Sequence, residues 1–117
     1  MTDLREKTAA CAEYLKSISS EGLRDPAVTQ CHIFRDWLSA VYADPSFLDP
    51  ENFFSCYEEC RNKPAEEMSP DEVRACVTFC VRQMRFQYPP YPCIAGGELL
   101  RLLERWLQIT EEKANGI

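Results

Sequence analysis

The residues best equipped for chemistry are cysteines, seven of them in a chain of 117. Four form two matched pairs, Cys56-Tyr57-Glu58-Glu59-Cys60 and Cys76-Val77-Thr78-Phe79-Cys80, with 15 residues between them. On a helix, an i, i+4 spacing puts both sulfurs of a pair on one face, with their Cβ atoms roughly 6 Å apart. A disulfide wants about 3.8 Å, so a bond within either helix is strained. Pro64 and Ser69-Pro70 interrupt the segment between the pairs, and two helices folded back as an antiparallel hairpin follow. In that geometry Cys60 faces Cys76 and Cys56 faces Cys80. Two disulfide rungs, Cys60–Cys76 and Cys56–Cys80, are the leading expectation. The inner one is worth about 3 kcal/mol by loop closure, and the outer one adds less. A zinc site made by all four thiolates and a set of plain buried thiols are the competing readings.

Cys11, Cys31 and Cys93 lie outside the pairs. A Cys11–Cys31 bridge would join the first two helices, against the plainer reading that both sit on apolar stripes. Cys93 is the odd thiol, free or paired with whichever of those two is nearer. His32 adjoins Cys31, but neighbours on a helix point about 100° apart, so the two do not form a nucleophilic dyad. The acidic pairs Glu58-Glu59, Glu66-Glu67 and Glu111-Glu112 read as solvated faces. Gly96-Gly97 follows a proline break, not a strand, and makes no phosphate loop. No catalytic residue, metal or cofactor is expected.

The elements that must position these thiols are unusually well punctuated. Asp25-Pro26, Asp44-Pro45, Asp49-Pro50 and Ser69-Pro70 each set a capping side chain before a proline, whose missing N–H costs nothing at a helix start. Ser69 with Glu72 is also a capping box. The fold class is all-α, about five helices around the disulfide-stapled antiparallel hairpin. Periodicity puts helices at about 3–18, 26–43, 50–62, 70–87 and 98–114, with a single turn at 45–48. Residues 88–93, Tyr88-Pro89-Pro90-Tyr91-Pro92-Cys93, are read as polyproline II. One domain spans 1–117, divided into an N-terminal helix pair (1–48), the hairpin (49–87), and a proline-rich arm with a C-terminal amphipathic helix (88–117). The last helix sets Leu99, Leu102, Leu103, Trp106 and Ile109 on one side, to complete the core or dock on a partner.

Thirteen Lys plus Arg against 19 Asp plus Glu leave a formal charge of −6, which repels phosphate backbones and argues against nucleic-acid binding. No apolar run approaches the roughly 18–20 residues that cross a bilayer. The first residues carry Asp3, Glu6 and Glu13 and lack the layout of a secretory or transit segment, so a chain without a cleaved address is expected.

The two CX3C pairs, the aromatic residues Phe53, Phe54 and Tyr57 around the first, and Met68-Ser69-Pro70-Asp71-Glu72 before the second resemble the twin CX3C proteins of the mitochondrial intermembrane space. The small Tim family is their main representative. The resemblance covers about residues 50–86. It implies a precursor imported without a presequence, oxidised by a disulfide-relay oxidase at Cys56, Cys60, Cys76 and Cys80, and joined to a larger inner-membrane assembly. The extra helices and the three further cysteines depart from that pattern. The expected function is a non-enzymatic structural or accessory subunit docked on an inner-membrane complex, of the respiratory chain or ATP synthase. A small-Tim-like chaperone for hydrophobic precursors, a redox enzyme and a zinc-stabilised cytosolic adaptor are the alternatives. Phe53, Phe54, Tyr57, Tyr88, Tyr91 and Trp106 are the candidate partner-binding residues.

Overall fold

The computed structural model describes residues 3–44, 53–86 and 91–115. These form six α-helices and no strand: α1 (Asp3–Lys16), α2 (His32–Ala43), α3 (Phe53–Cys60), α4 (Pro70–Gln83), α5 (Pro92–Ala95) and α6 (Glu98–Asn115). Short 3-10 turns occupy Gly22–Arg24, Pro26–Thr29 and Ala65–Glu67. The chain is therefore all-α. The expected turn at 45–48, the Asp49-Pro50 cap, and Tyr88, Pro89 and Pro90 lie outside the described residues.

Two of the expected caps form. The Asp25 carboxylate accepts from the Ala27 N–H at 2.9 Å. At the start of α4 the Ser69 hydroxyl accepts from the Glu72 N–H at 3.3 Å, and the Glu72 carboxylate accepts from the Ser69 N–H at 2.8 Å. Asp44 ends α2, its N–H bonded to the Val41 carbonyl, and the turn that it is expected to cap lies outside the described residues.

The helix expected over 26–43 is broken. Pro26–Thr29 is a 3-10 turn, Cys31 is extended (φ −66°, ψ 138°), and α2 starts only at His32. The Tyr14 hydroxyl donates to the Val28 carbonyl at 2.8 Å. That carbonyl would otherwise serve the His32 N–H, so a contact from α1 takes the place of a rung in the helical ladder. The helix restarts with Cys31 as its N-cap residue and the Arg35 N–H bonded to the Cys31 carbonyl.

The arm also departs from the expected polyproline II path. Pro92 and Cys93 are not polyproline II but open the helical turn α5, with extended Tyr91 before it. Proline is tolerated at the first helical position because its missing N–H has no partner to lose. Gly97, at φ +77°, then turns the chain into α6.

The core joins all these elements. Cys11 and Leu15 of α1, Phe34, Trp37 and Val41 of α2, Val73, Val77 and Val81 of α4, and Leu99, Leu102 and Leu103 of α6 are buried in one cluster. Phe34 and Trp37 meet edge to face with centroids 5.5 Å apart. Helix α6 packs against both α1 and α4, so its apolar face completes the core. Polar contacts fix its rotation: Arg105 Nε donates to the Met68 carbonyl at 3.0 Å, and Arg5 Nε to Thr110 Oγ1 at 3.3 Å. Among the described residues no helix is long and apolar enough to cross a membrane.

Candidate functional site

Helix α4 presents two of the paired cysteines, and its first turn is tied down before they appear. Lys63 Nζ sits 3.0 Å from both Glu72 carboxylate oxygens, linking the end of the α3 segment to the α4 capping box. The Ser69 N–H, and secondarily Lys63, hold the Glu72 carboxyl below its ordinary range. Arg74 pairs with Asp71 on the outer face. One turn further, the buried Thr78 hydroxyl donates to the Arg74 carbonyl at 2.7 Å, so it leaves no unpaired polar group in the core.

Helix α3 lies against this frame. The Tyr57 ring stacks on Phe79 with centroids 3.8 Å apart and planes 8° from parallel. Cys60 Sγ is 3.5 Å from Cys76 Sγ, and both residues are buried. The contacts Tyr57–Phe79, Cys60–Cys76 and Lys63–Glu72 run in opposite senses along the two segments, while Cys56, at the Asp71 carbonyl, departs from that order. The inner pair is thus brought together.

The outer pair is not. The Cys56 thiol donates to the Asp71 carbonyl at 3.8 Å. Asp71 and Cys80 are about two and a half helical turns apart, or about 13 Å of rise. Cys60 thus meets Cys76, whereas Cys56 meets the first turn of α4. The Cys80 thiol faces Cys93 of α5 instead, the two lining one cavity and shifting one another's titration.

All seven cysteines stand as thiols in this structure. Burial, then the hydrogen bond to Cys60, pushes Cys76 up. The hydrogen bond to Cys93, then burial, pushes Cys80 well up, and the same hydrogen bond lowers Cys93. Burial lifts Cys11 to about 12, with Cys31 adding to the shift, so these two thiols lie within electrostatic reach of each other. Among the described residues no group of three or more His, Cys, Asp or Glu side chains is arranged to hold a metal ion.

Comparison with protein-family models, curated proteins and solved structures finds no match.

The other sequence candidates divide by burial. His32 is exposed at the start of α2, and Glu58, Glu59, Glu66, Glu67 and Glu111 are exposed on helix surfaces. Tyr57, Tyr91 and Trp106 are half-buried and pack against the core, so part of each ring is already used within the chain. For Phe53 and Phe54 only the backbone, in α3, is described. Sequence reasoning overlooked Phe79, which stacks on Tyr57, and Phe86, which is 83% exposed. It also overlooked the approach of Cys93 to Cys80. The available signal was Pro92, whose N1 preference places Cys93 in a helical turn rather than in an extended arm.

Proposed function

We propose that the protein is a non-enzymatic structural or accessory subunit of the mitochondrial intermembrane space, docked on an inner-membrane complex of the respiratory chain or ATP synthase. The observation that carries this reading is the meeting of Cys60 and Cys76 at 3.5 Å, across two helices that each bear a CX3C pair. Two buried thiols from separate helices are placed where an oxidising compartment would join them. The disulfide relay that oxidises twin CX3C proteins is the partner this implies during import.

The accessory reading is favoured over a small-Tim-like chaperone by what surrounds the hairpin. Helix α6 covers α4 through Leu99, Leu102 and Leu103, and α1 covers α6 in turn. A client-binding chaperone needs such a helical face open to its client. A small covalently stapled domain with a filled core suits a part that holds one shape while docked.

The test is a thiol count on the native protein by intact mass, with alkylation before and after reduction and a zinc assay on the same sample. Four or six cysteines protected until reduction, without metal, support the reading. Seven reactive thiols, or one zinc per chain lost to a chelator, sink it in favour of a cytosolic adaptor. Stoichiometric co-purification with one inner-membrane complex supports the accessory role. A ring-sized oligomer whose client binding is lost on substituting Phe53, Phe54 and Tyr57 would replace it with the chaperone.

A further inference from the structure

We propose that Cys93 is the disulfide partner of Cys80, so that the second CX3C pair is bridged in two directions, Cys76 to α3 and Cys80 to α5. This rests on the oxidised reading above, and it departs from the Cys56–Cys80 rung expected of a twin CX3C hairpin. Cys80 and Cys93 line the same cavity of about 240 Å³, together with Cys76, Tyr57, Phe79 and Glu98. Interaction with Cys93 raises the Cys80 thiol, and interaction with Cys80 lowers the Cys93 thiol, so the two sulfurs face one another at this cavity. Cys56, the competing partner, is held at the Asp71 carbonyl, more than two turns of α4 away. Cys93 is also well anchored. Pro92 fixes the start of its helical turn, and the neighbouring Ile94 is 2% exposed in the core.

The two thiols differ in a way that orders the reaction. Cys93 is half-buried and its sulfur is the one lowered by the shared hydrogen bond, whereas Cys80 is buried and raised. The oxidant is a disulfide, carried by a relay protein or by glutathione. Cys93 thiolate attacks one of its sulfurs, forming a mixed disulfide and expelling the first thiolate. Cys80, losing its proton, attacks the Cys93 sulfur, closes the Cys80–Cys93 bond and expels the second thiolate. Two thiols of this chain are oxidised, one external disulfide is reduced to two thiols, and the two protons go to the expelled thiolates or to solvent. Cys56 remains the unpaired thiol beside a completed Cys60–Cys76 bond.

Tryptic mapping of the full-length protein, isolated with its thiols blocked by acid and alkylation, separates the alternatives. Cleavage after Arg35, Arg61, Arg74, Arg82, Arg85 and Arg101 places Cys56 and Cys60 in peptide 36–61, Cys76 and Cys80 in 75–82, and Cys93 in 86–101. The proposed pairing yields a three-peptide cluster, 36–61 to 75–82 to 86–101, with one alkylated cysteine in 36–61. The hairpin rungs instead yield 36–61 doubly bridged to 75–82 with 86–101 outside the pair, which overturns this proposal and leaves the oxidised reading standing. Seven thiols alkylated before reduction overturn both. Substitution sharpens the result. Cys93→Ser is expected to leave Cys80 alkylatable and Cys60–Cys76 intact, whereas Cys56→Ser is expected to change neither bridge. Loss of a bridge in Cys56→Ser with none lost in Cys93→Ser overturns the proposal.

Discussion

Helices α2 and α3 hold their places by different means. Helix α2 sends Phe34, Trp37 and Val41 fully into the core, where the two rings pack edge to face. Of the α3 side chains described, only Cys60 is buried. The rest of its attachment is a list of single contacts: Tyr57 on Phe79, Lys63 with Glu72, Cys56 at the Asp71 carbonyl. Apolar area stabilises in proportion to its extent and needs no bond. Where that area is thin, a covalent link that restricts the unfolded chain matters most. A Cys60–Cys76 bond would therefore matter most to α3, where Cys60 alone is buried among the described side chains.

The largest effect expected is on the α2 side. Trp37→Ala removes a side chain 1% exposed and is expected to cost about 3–5 kcal/mol, in oxidised and reduced protein alike. Urea unfolding in both states measures it. A loss that shrinks below about 1 kcal/mol on oxidation would mean that the bonds, not the core, hold α2, and the contrast would collapse.

The next effect belongs to α3. Opening a Cys60–Cys76 bond by reduction is expected to cost about 3 kcal/mol, the loop-closure value for about 15 residues. Hydrogen exchange locates the cost: protection over residues 53–60 is expected to fall on reduction while that over 32–43 persists. Equal loss in both helices would show that the two are one cooperative unit.

How far the sequence disclosed this arrangement depends on which forces were local. Ser69-Pro70 with Glu72 and Asp25-Pro26 carry their partners within three residues, and both caps form as the sequence implies. The apolar stripe of α6 is legible for the same reason, since its period alone puts Leu99, Leu102 and Leu103 together. What escaped is set at a distance. The break before α2 comes from the Tyr14 hydroxyl reaching a carbonyl 14 positions away, and nothing in residues 26–43 announces it. The contact of Cys56 with the Asp71 carbonyl and the stack of Tyr57 on Phe79 join residues 15 or more positions apart and are invisible to spacing.

Alkaline pH offers a smaller and cleaner contrast within the first helix. The Cys11 thiol is held at about 12 by burial, above its ordinary value of about 8.5. The unfolded chain therefore releases this proton first, and stability is full below pH 8.5 and lost as pH rises toward 12. The expected slope is about 1.4 kcal/mol per pH unit for this one thiol, so by pH 10 the reduced protein loses about 2 kcal/mol through it. A Cys11–Cys31 bond removes the titrating group. Denaturant titrations at pH 8 and 10, with and without reductant, decide whether that bond exists. A slope that persists unchanged in the oxidised protein, and disappears in reduced Cys11→Ala, leaves Cys11 a free core thiol.

The smallest effects test the polar link between Lys63, after α3, and the α4 capping box. Ser69→Ala removes the side-chain acceptor for the Glu72 N–H and is expected to cost about 1 kcal/mol at neutral pH. Glu72→Gln keeps an acceptor for the Ser69 N–H but loses the charge facing Lys63, and exposed pairs of this kind change stability by less than about 1 kcal/mol. Its consequence lies in the acid limb. The Glu72 carboxyl is lowered by the Ser69 N–H and by Lys63, so its contribution is present above the ordinary Glu range and is lost as pH falls through the lower folded value. Below that value wild type and Glu72→Gln should converge, because a protonated carboxyl and an amide are nearly the same group. Persistent divergence at low pH would mean that Glu72 acts through packing rather than charge. Loss of residue 53–60 protection in Glu72→Gln under reducing conditions alone would show that this ion pair and the Cys60–Cys76 bond substitute for one another in keeping α3 docked.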